Sequence, residues 1–275
     1  MFATPKIANA DSQTEIFGGD WIAGAAIEGG IIVARVPSGA SVKFDGDSIE
    51  TDSNGRFILG FHRDSDADPI LVITHSDGSK HHTRLTVAQR EYKIQRIDGL
   101  QREYVLPPED VRRRIADDNA AVRAARARND AGTTADAFIA GLDMPVDGRI
   151  TGVFGSQRIL NGQPRAPHYG IDIAAPRGTA VLAPAGGRVT LVRDLYFSGW
   201  TVLVAHGMGL NSAFLHLDGV AVQTGDVIGR GTVIGSVGST GRSTGPHLDW
   251  RLDWQGRRLD AALVRRQIAD ASQQR

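Results

Sequence analysis

The sequence predicts a mostly β protein: an N-terminal antiparallel β-sandwich, one connecting α-helix, and a larger C-terminal β-rich part. Three observations point there. Thirty-three glycines against 6% aromatic residues provide for many tight turns. Short runs of β-forming residues recur between turn signals such as Asp45-Gly46 and Ser53-Asn54-Gly55. One intervening stretch, opened by Pro107-Pro108, carries helical spacing instead. With 275 residues, 41% hydrophobic and 23% charged, the chain has globular composition and is long enough for two cores.

Taken in order, residues 1–15 read as a tail or the stub of a signal peptide. Ala8-Asn9-Ala10 resembles a cleavage site, but the charged and long apolar regions of a secretory signal are missing. Residues 16–103 read as the sandwich, with strands expected at Ile31 to Val36, Ser41 to Phe44, Arg56 to Phe61, Pro69 to Thr74 and His82 to Val87. Its histidines, His62, His75, His81 and His82, have no carboxylate at ligand spacing and are expected to pack or be solvated. Residues 104–143 form the helix and a polar linker around Gly132 to Ala135. Val111, Ile115 and Val122 give the helix a narrow apolar stripe, it is expected to end near Gly132, and its arginines are expected to form a solvated face. Residues 144–265 are again β-rich, with clear strands at Val181 to Pro184, Gly187 to Val192, Trp200 to His206 and Val233 to Gly238, and 266–275 read as a C-terminal tail.

Lys+Arg and Asp+Glu balance at 31 each, so no global field recruits nucleic acid. No apolar run approaches the roughly 20 residues of a membrane span. Cysteine is absent, which leaves His and carboxylates as metal ligands and removes thiol nucleophiles.

Two strings carry the chemistry: His168-Tyr-Gly-Ile-Asp172 and His247-Leu-Asp249, with His216 between them. Side chains alternate faces along a strand, so His168 and Asp172 share one face, as do His247 and Asp249. Two neighbouring strands can aim all four into one groove, which points to a metal-dependent hydrolase. Gly170 permits close approach of a neighbouring strand or substrate, and Pro246 fixes the entry of the last strand.

His168-x-Gly-x-Asp172, Phe214-Leu-His216-Leu and Gly241-Arg-Ser-Thr-Gly-Pro-His247-Leu-Asp249 resemble the lysostaphin/LytM-type zinc metallopeptidases, whose usual pattern is H-x-x-x-D, a lone His, then H-x-H. The similarity runs from about Gly148 to Leu259. It implies a peptidoglycan hydrolase with an open groove that cuts peptide bonds of the stem or cross-link by attack of a water activated by one Zn²⁺, without a covalent intermediate. It places His168 and Asp172 as metal ligands, and His216 and His247 as general base and oxyanion donor in either order. Peptidoglycan peptides are the implied partner and the cell envelope, as periplasm, the implied location.

One position departs from the pattern. Asp249 stands where the second His of H-x-H supplies the third ligand. Aspartate ligates zinc, so a His-Asp-Asp site is expected. The charge of metal plus ligands then falls from about +1 to about 0, which predicts a more alkaline optimum than an Asp249→His variant and room for Mn²⁺. The alternative is a catalytically inactive LytM-type domain that regulates a partner cell-wall amidase. A minor third option has the sandwich occlude the groove.

His206, in a His-Gly turn, is expected to be structural or to support the metal ligands. Arg158, Asn161 and Arg165 precede His168 and are candidates to grip stem-peptide carboxylates. Tyr169, Tyr196 and Trp200 are candidate groove aromatics, whereas Trp250 and Trp254 alternate away from His247 and Asp249 and are assigned to the core.

Overall fold

A computed structural model describes residues 18–65, 68–97, 109–128, 138–160 and 162–273. The expected signal stub, Pro107-Pro108 and the Gly132 to Ala135 linker lie outside the described residues.

The N-terminal half forms β1 (Asp20–Gly24), β2 (Ile31–Arg35), β3 (Ser41–Phe44), β4 (Asp47–Ile49), β5 (Arg56–Gly60), β6 (Ile70–Thr74), β7 (Lys80–Arg84) and β8 (Ile94–Ile97). Two antiparallel sheets result, β1-β2-β5 and β4-β3-β6-β7. Period-two burial explains them: in β3, Val42 and Phe44 point inward while Ser41 and Lys43 are exposed. The Asp45-Gly46 turn between β3 and β4 has φ of 50° and 87°, the positive pair that a tight hairpin requires. β1, β4 and β8 were not expected; each is short, and β4 (Asp-Ser-Ile) has little β-forming content.

Helix α1 (Arg112–Arg126) follows a 3₁₀ turn at Glu109–Val111. It ends at Arg126, and the expected terminus at Gly132 lies outside the described residues. Its arginines are not simply a solvated face. Arg126 Nε lies 3.0 Å from Asp253 Oδ1 with both side chains largely buried, and Arg114 pairs with Asp194 at 3.0 Å. Asp118 is buried and accepts from Tyr196 N at 2.8 Å. With Val122 and Ala125 as its inner apolar residues, the helix docks largely through charges.

The C-terminal half contains β9 (Arg149–Gly152), β10 (Gln157–Leu160), β11 (Gln163–Pro164), β12 (Ile171–Ala174), β13 (Ala180–Leu182), β14 (Gly187–Leu195), β15 (Gly199–Gly207), β16 (Leu210–Val220), β17 (Val227–Ile228), β18 (Val233–Val237), β19 (His247–Trp254) and β20 (Arg257–Leu259). Most join one large sheet in the order β17-β14-β15-β16-β19-β12-β9. Helix α2 (Ala261–Gln273) closes the chain. The stretch expected as a tail from 266 is thus helical through Gln273, anchored by Val264 and the fully buried Ile268.

The two halves share one apolar cluster. Gly60 packs against Trp254 and Leu259 so closely that a Cβ there would sit 3.0 Å from the indole. Gln267 Oε1 accepts from Ile31 N (2.9 Å), and Arg90 pairs with Asp260 (3.0 Å). β8 also pairs in parallel with β10, so an N-terminal strand completes the small sheet β11-β10-β8. Among the described residues no helix is long and apolar enough to cross a membrane.

Candidate metal centre

β19 sits between β16 and β12, and its register sets the site. Asp249 lies directly across from Asp172 on β12 and from Leu215 on β16. The inward face of β19, formed by Leu248, Trp250, Leu252 and Trp254, is fully buried, as the alternation predicts. The opposite face presents His247, Asp249 and Arg251.

His168 reaches the cluster differently from the expected strand alternation. β12 begins only at Ile171, and His168 lies in the preceding loop. Two backbone bonds pin it there: His168 N donates to Ser156 O and Gly155 N donates to His168 O, each at 2.8 Å.

His168, Asp172 and Asp249 bring one ligand atom each within 4.8 Å of one another; among the described residues they are the one such group of three. His168 Nε2 is buried without a hydrogen-bond partner, 3.2 Å from Asp172 Oδ1. Two glycines make room for the carboxylates: a Cβ at Gly152 would overlap Asp172, and one at Gly170 would overlap Asp249 Oδ1. An orphaned imidazole nitrogen facing two carboxylates is a donor set that fits a divalent ion such as zinc.

His216 and His247 flank this cluster with ring centroids 4.9 Å apart. His216 occupies a bulge in β16, where the register to β15 shifts between Trp200/Leu217 and Val202/Phe214, and its φ is 64°. The bulge re-aims the side chain, as bulges beside active sites do. His216 Nδ1 lies 2.7 Å from Thr240 O, and His247 Nδ1 lies 2.8 Å from Gly245 O. A carbonyl only accepts, so both rings carry their proton on Nδ1 and turn Nε2 outward. His247 Nε2 is 3.8 Å from Asp172 Oδ1. Burial lowers the His216 pKa, with opposing contributions from Thr240 and Asp249.

Asp249 is 2% exposed, and Arg251 grips it: Nε lies 3.1 and 3.0 Å from its two oxygens and Nη2 lies 2.5 Å from Oδ2. Burial works to raise the Asp249 pKa, but the Arg251 guanidinium, aided by His168 and His216, holds it below the usual carboxylate range. Arg251 escaped the sequence reading, although the alternation that pairs His247 with Asp249 also puts Arg251 next on that face. The expected charge count near 0 omitted this guanidinium; with it the count returns to about +1, which removes the basis for an alkaline shift.

The other candidates scatter. His206 is fully buried, with Nδ1 2.8 Å from Gly186 O and Nε2 2.7 Å from Ser212 Oγ, away from the ligand group. Tyr169 is half-buried and packs against His62 and Phe154. Tyr196 packs against Phe197 and Arg114 beneath α1 rather than lining the site. Trp200 is 41% exposed, and its backbone N–H donates to the Oγ1 of Thr240, the residue whose carbonyl holds His216. The Arg158 backbone pairs with Gln95 of β8, while its side chain and Asn161 lie outside the described residues. Arg165 is half-buried, and its carbonyl accepts from Gln157 Nε2.

The sequence profile of Peptidase family M23 matches residues 166–261, which span every residue of this cluster. The peptidoglycan DD-endopeptidase ShyA of Vibrio cholerae is 39% identical over 120 residues, 42% of this chain and 28% of the relative. The DD-carboxypeptidase/endopeptidase Mpg of Neisseria meningitidis is 42% identical over 97 residues, 35% of this chain and 22% of the relative. The chain thus spans about a quarter of the length of these curated relatives. A crystal structure of a peptidase M23 from Pseudomonas aeruginosa matches far more broadly, over 86% of this chain and 94% of that one, with 30% identity and a TM-score of 0.65. Shared fold across both halves and a shared sequence profile at the site lead to one conclusion: the chain belongs to Peptidase family M23.

Proposed function

We propose that the chain is a metalloendopeptidase that hydrolyses peptide bonds in peptidoglycan stems or cross-links. The observation that carries the reading is the convergence of His168, Asp172 and Asp249 within 4.8 Å beside two histidines that share one tautomer. The relatives named for peptidoglycan endopeptidase activity support the substrate class. Peptidoglycan as substrate puts the protein in the cell envelope, and we propose the periplasm.

His168, Asp172 and Asp249 would hold one Zn²⁺. When bound, that ion supplies Lewis acidity toward the scissile carbonyl and acidifies water at neutral pH. The remaining chemistry belongs to the imidazoles. His216, kept neutral by burial, accepts the proton of the attacking water at Nε2 and delivers it to the leaving amine. His247, its Nδ1–H anchored on Gly245 O and its Nε2 facing Asp172, is placed beside the developing oxyanion and would donate to it only after Nε2 takes up a second proton. Trp200, exposed beside Thr240, offers an apolar surface for the substrate chain.

The test combines elemental mass spectrometry of the purified protein with digestion of purified peptidoglycan, with and without chelator. The expected result is about one zinc per chain and a chelator-sensitive loss of cross-linked peptides. His216→Ala and His247→Ala should each lower the rate by about 10²- to 10⁴-fold while metal content stays unchanged. No bound metal and no cleavage after zinc or manganese is supplied would reject the enzyme reading in favour of an amidase regulator.

A further inference from the structure

Asp249 is almost fully removed from water, and a buried carboxylate is tolerated only when its charge is compensated. The compensating charge lies two residues along the same strand face. Arg251 makes three contacts of 2.5 to 3.1 Å with both Asp249 oxygens, and its own side chain is only 31% exposed.

We propose that Asp249 and Arg251 act as one unit, an ion pair standing where a neutral imidazole stands in the pattern this chain resembles. In this unit Arg251 is the positioning residue that orients the ligand carboxylate and sets the charge felt by the bound metal. The proposal rests on the metal-centre reading above.

Geometry and charge both lead there. A carboxylate has about four acceptor sites; the single Nε–H, shared between both oxygens, and one Nη2–H on Oδ2 occupy about two of them, so Oδ1 is the less engaged oxygen. The guanidinium therefore fixes which oxygen a metal meets. The pair is neutral as a whole, so Asp172 remains the net negative ligand, as it would be beside two histidines. Lysine, a point charge without a planar fork, would keep the charge and lose the bidentate grip.

Metal affinity separates this from an incidental ion pair, because the sign of each effect is fixed by charge. Even screened as in bulk water, a unit charge a few ångströms from a dication changes affinity by about tenfold. Arg251→Gln leaves Asp249 uncompensated and should tighten zinc binding by about tenfold. Asp249→His leaves Arg251 unpaired beside the dication and should weaken it by about tenfold, despite restoring the common ligand type. Asp249→His with Arg251→Gln should return to within about threefold of the parent, and so should Arg251→Lys, which keeps the charge.

The experiment is a zinc competition titration of each full-length protein against a chromophoric chelator, with the visible spectrum of the Co²⁺ forms reporting ligand geometry. Lys at 251 should preserve affinity yet alter that spectrum. If Arg251→Gln does not fold, the ratio between Asp249→His and the double variant still reports the charge of Arg251 without stranding a buried carboxylate. Parent protein that binds no zinc would sink the metal-centre reading itself. Parent binding with no change on Arg251→Gln, or tighter binding by Asp249→His alone, would overturn the ion-pair unit while leaving the metal centre intact.

Discussion

His216 pays for its position with a left-handed backbone, and that conformation persists because three neighbours hold it: its N–H bonds Ser198 O, its Nδ1–H bonds Thr240 O, and Thr240 Oγ1 bonds Leu217 O. His206, ten residues earlier, shows the opposite use of a buried imidazole. Desolvation pushes its pKa down to about 4, against a weaker opposing bond from Gly186 O. In the unfolded chain the group titrates near 6.5, so below that pH the unfolded state binds a proton that the native state refuses. Stability is therefore unaffected by His206 above pH 6.5 and falls as pH drops toward 4, by roughly 3 kcal/mol in total. Urea unfolding at pH 7 and pH 4.5 should show this loss, and His206→Gln should reduce it; an unchanged pH slope in the variant would refute the assignment. Residue identities were the most legible level of the sequence. His168, Asp172, His216, His247 and Asp249 all stand out by type and spacing, and they do converge or flank one another. Arg251 did not stand out because its role depends on Asp249 being charged and buried, and burial is a tertiary property.

Among the elements, β19 was legible because its two faces differ so sharply: aromatic and aliphatic on one, ionisable on the other. Helix α1 was only half legible. Its existence followed from proline and spacing, but its docking face is ionic, and hydrophobic periodicity is blind to that. Arg126 and Asp253 meet at 3.0 Å with side-chain exposures of 17% and 2%. Burial raises the Asp253 pKa, while Arg126 acts against that shift. Removing one partner of such a pair leaves an uncompensated buried charge, so Arg126→Ala should cost about 3 kcal/mol or more in chemical denaturation. A loss under about 1 kcal/mol would mean that the pair is solvated in solution. The loop carrying His168 was misread as strand because alternation alone cannot sense that Ser156 and Gly155 claim its backbone bonds.

At the scale of the whole molecule, the sequence suggested a sandwich and a peptidase part joined by a helix, and linear patterning had no means of showing how far they interpenetrate. Arg63 Nε donates to Gly155 O at 2.9 Å, Arg63 also lies over the Tyr92 ring, and Gln157 N donates to Lys93 O. The first and last of these contacts fall on Gly155 and Gln157, either side of the Ser156 carbonyl that holds His168. Removing the residues before Met144 should therefore yield an insoluble or poorly folded fragment, not a more active one, because it uncovers Trp254 and Leu259 and deprives β10 of its parallel partner β8. A truncated protein that stays monomeric, melts cooperatively and digests peptidoglycan faster would restore the occlusion option. The parallel pairing of β8 with β10 also bears on the order of events during folding. Joining strands so distant along the chain costs loop entropy before it gains contacts, whereas β14, β15 and β16 zip through short hairpins. The wall beside His168, which needs β8 and β10 to meet across about sixty residues, is then expected to be among the last parts of the molecule to close.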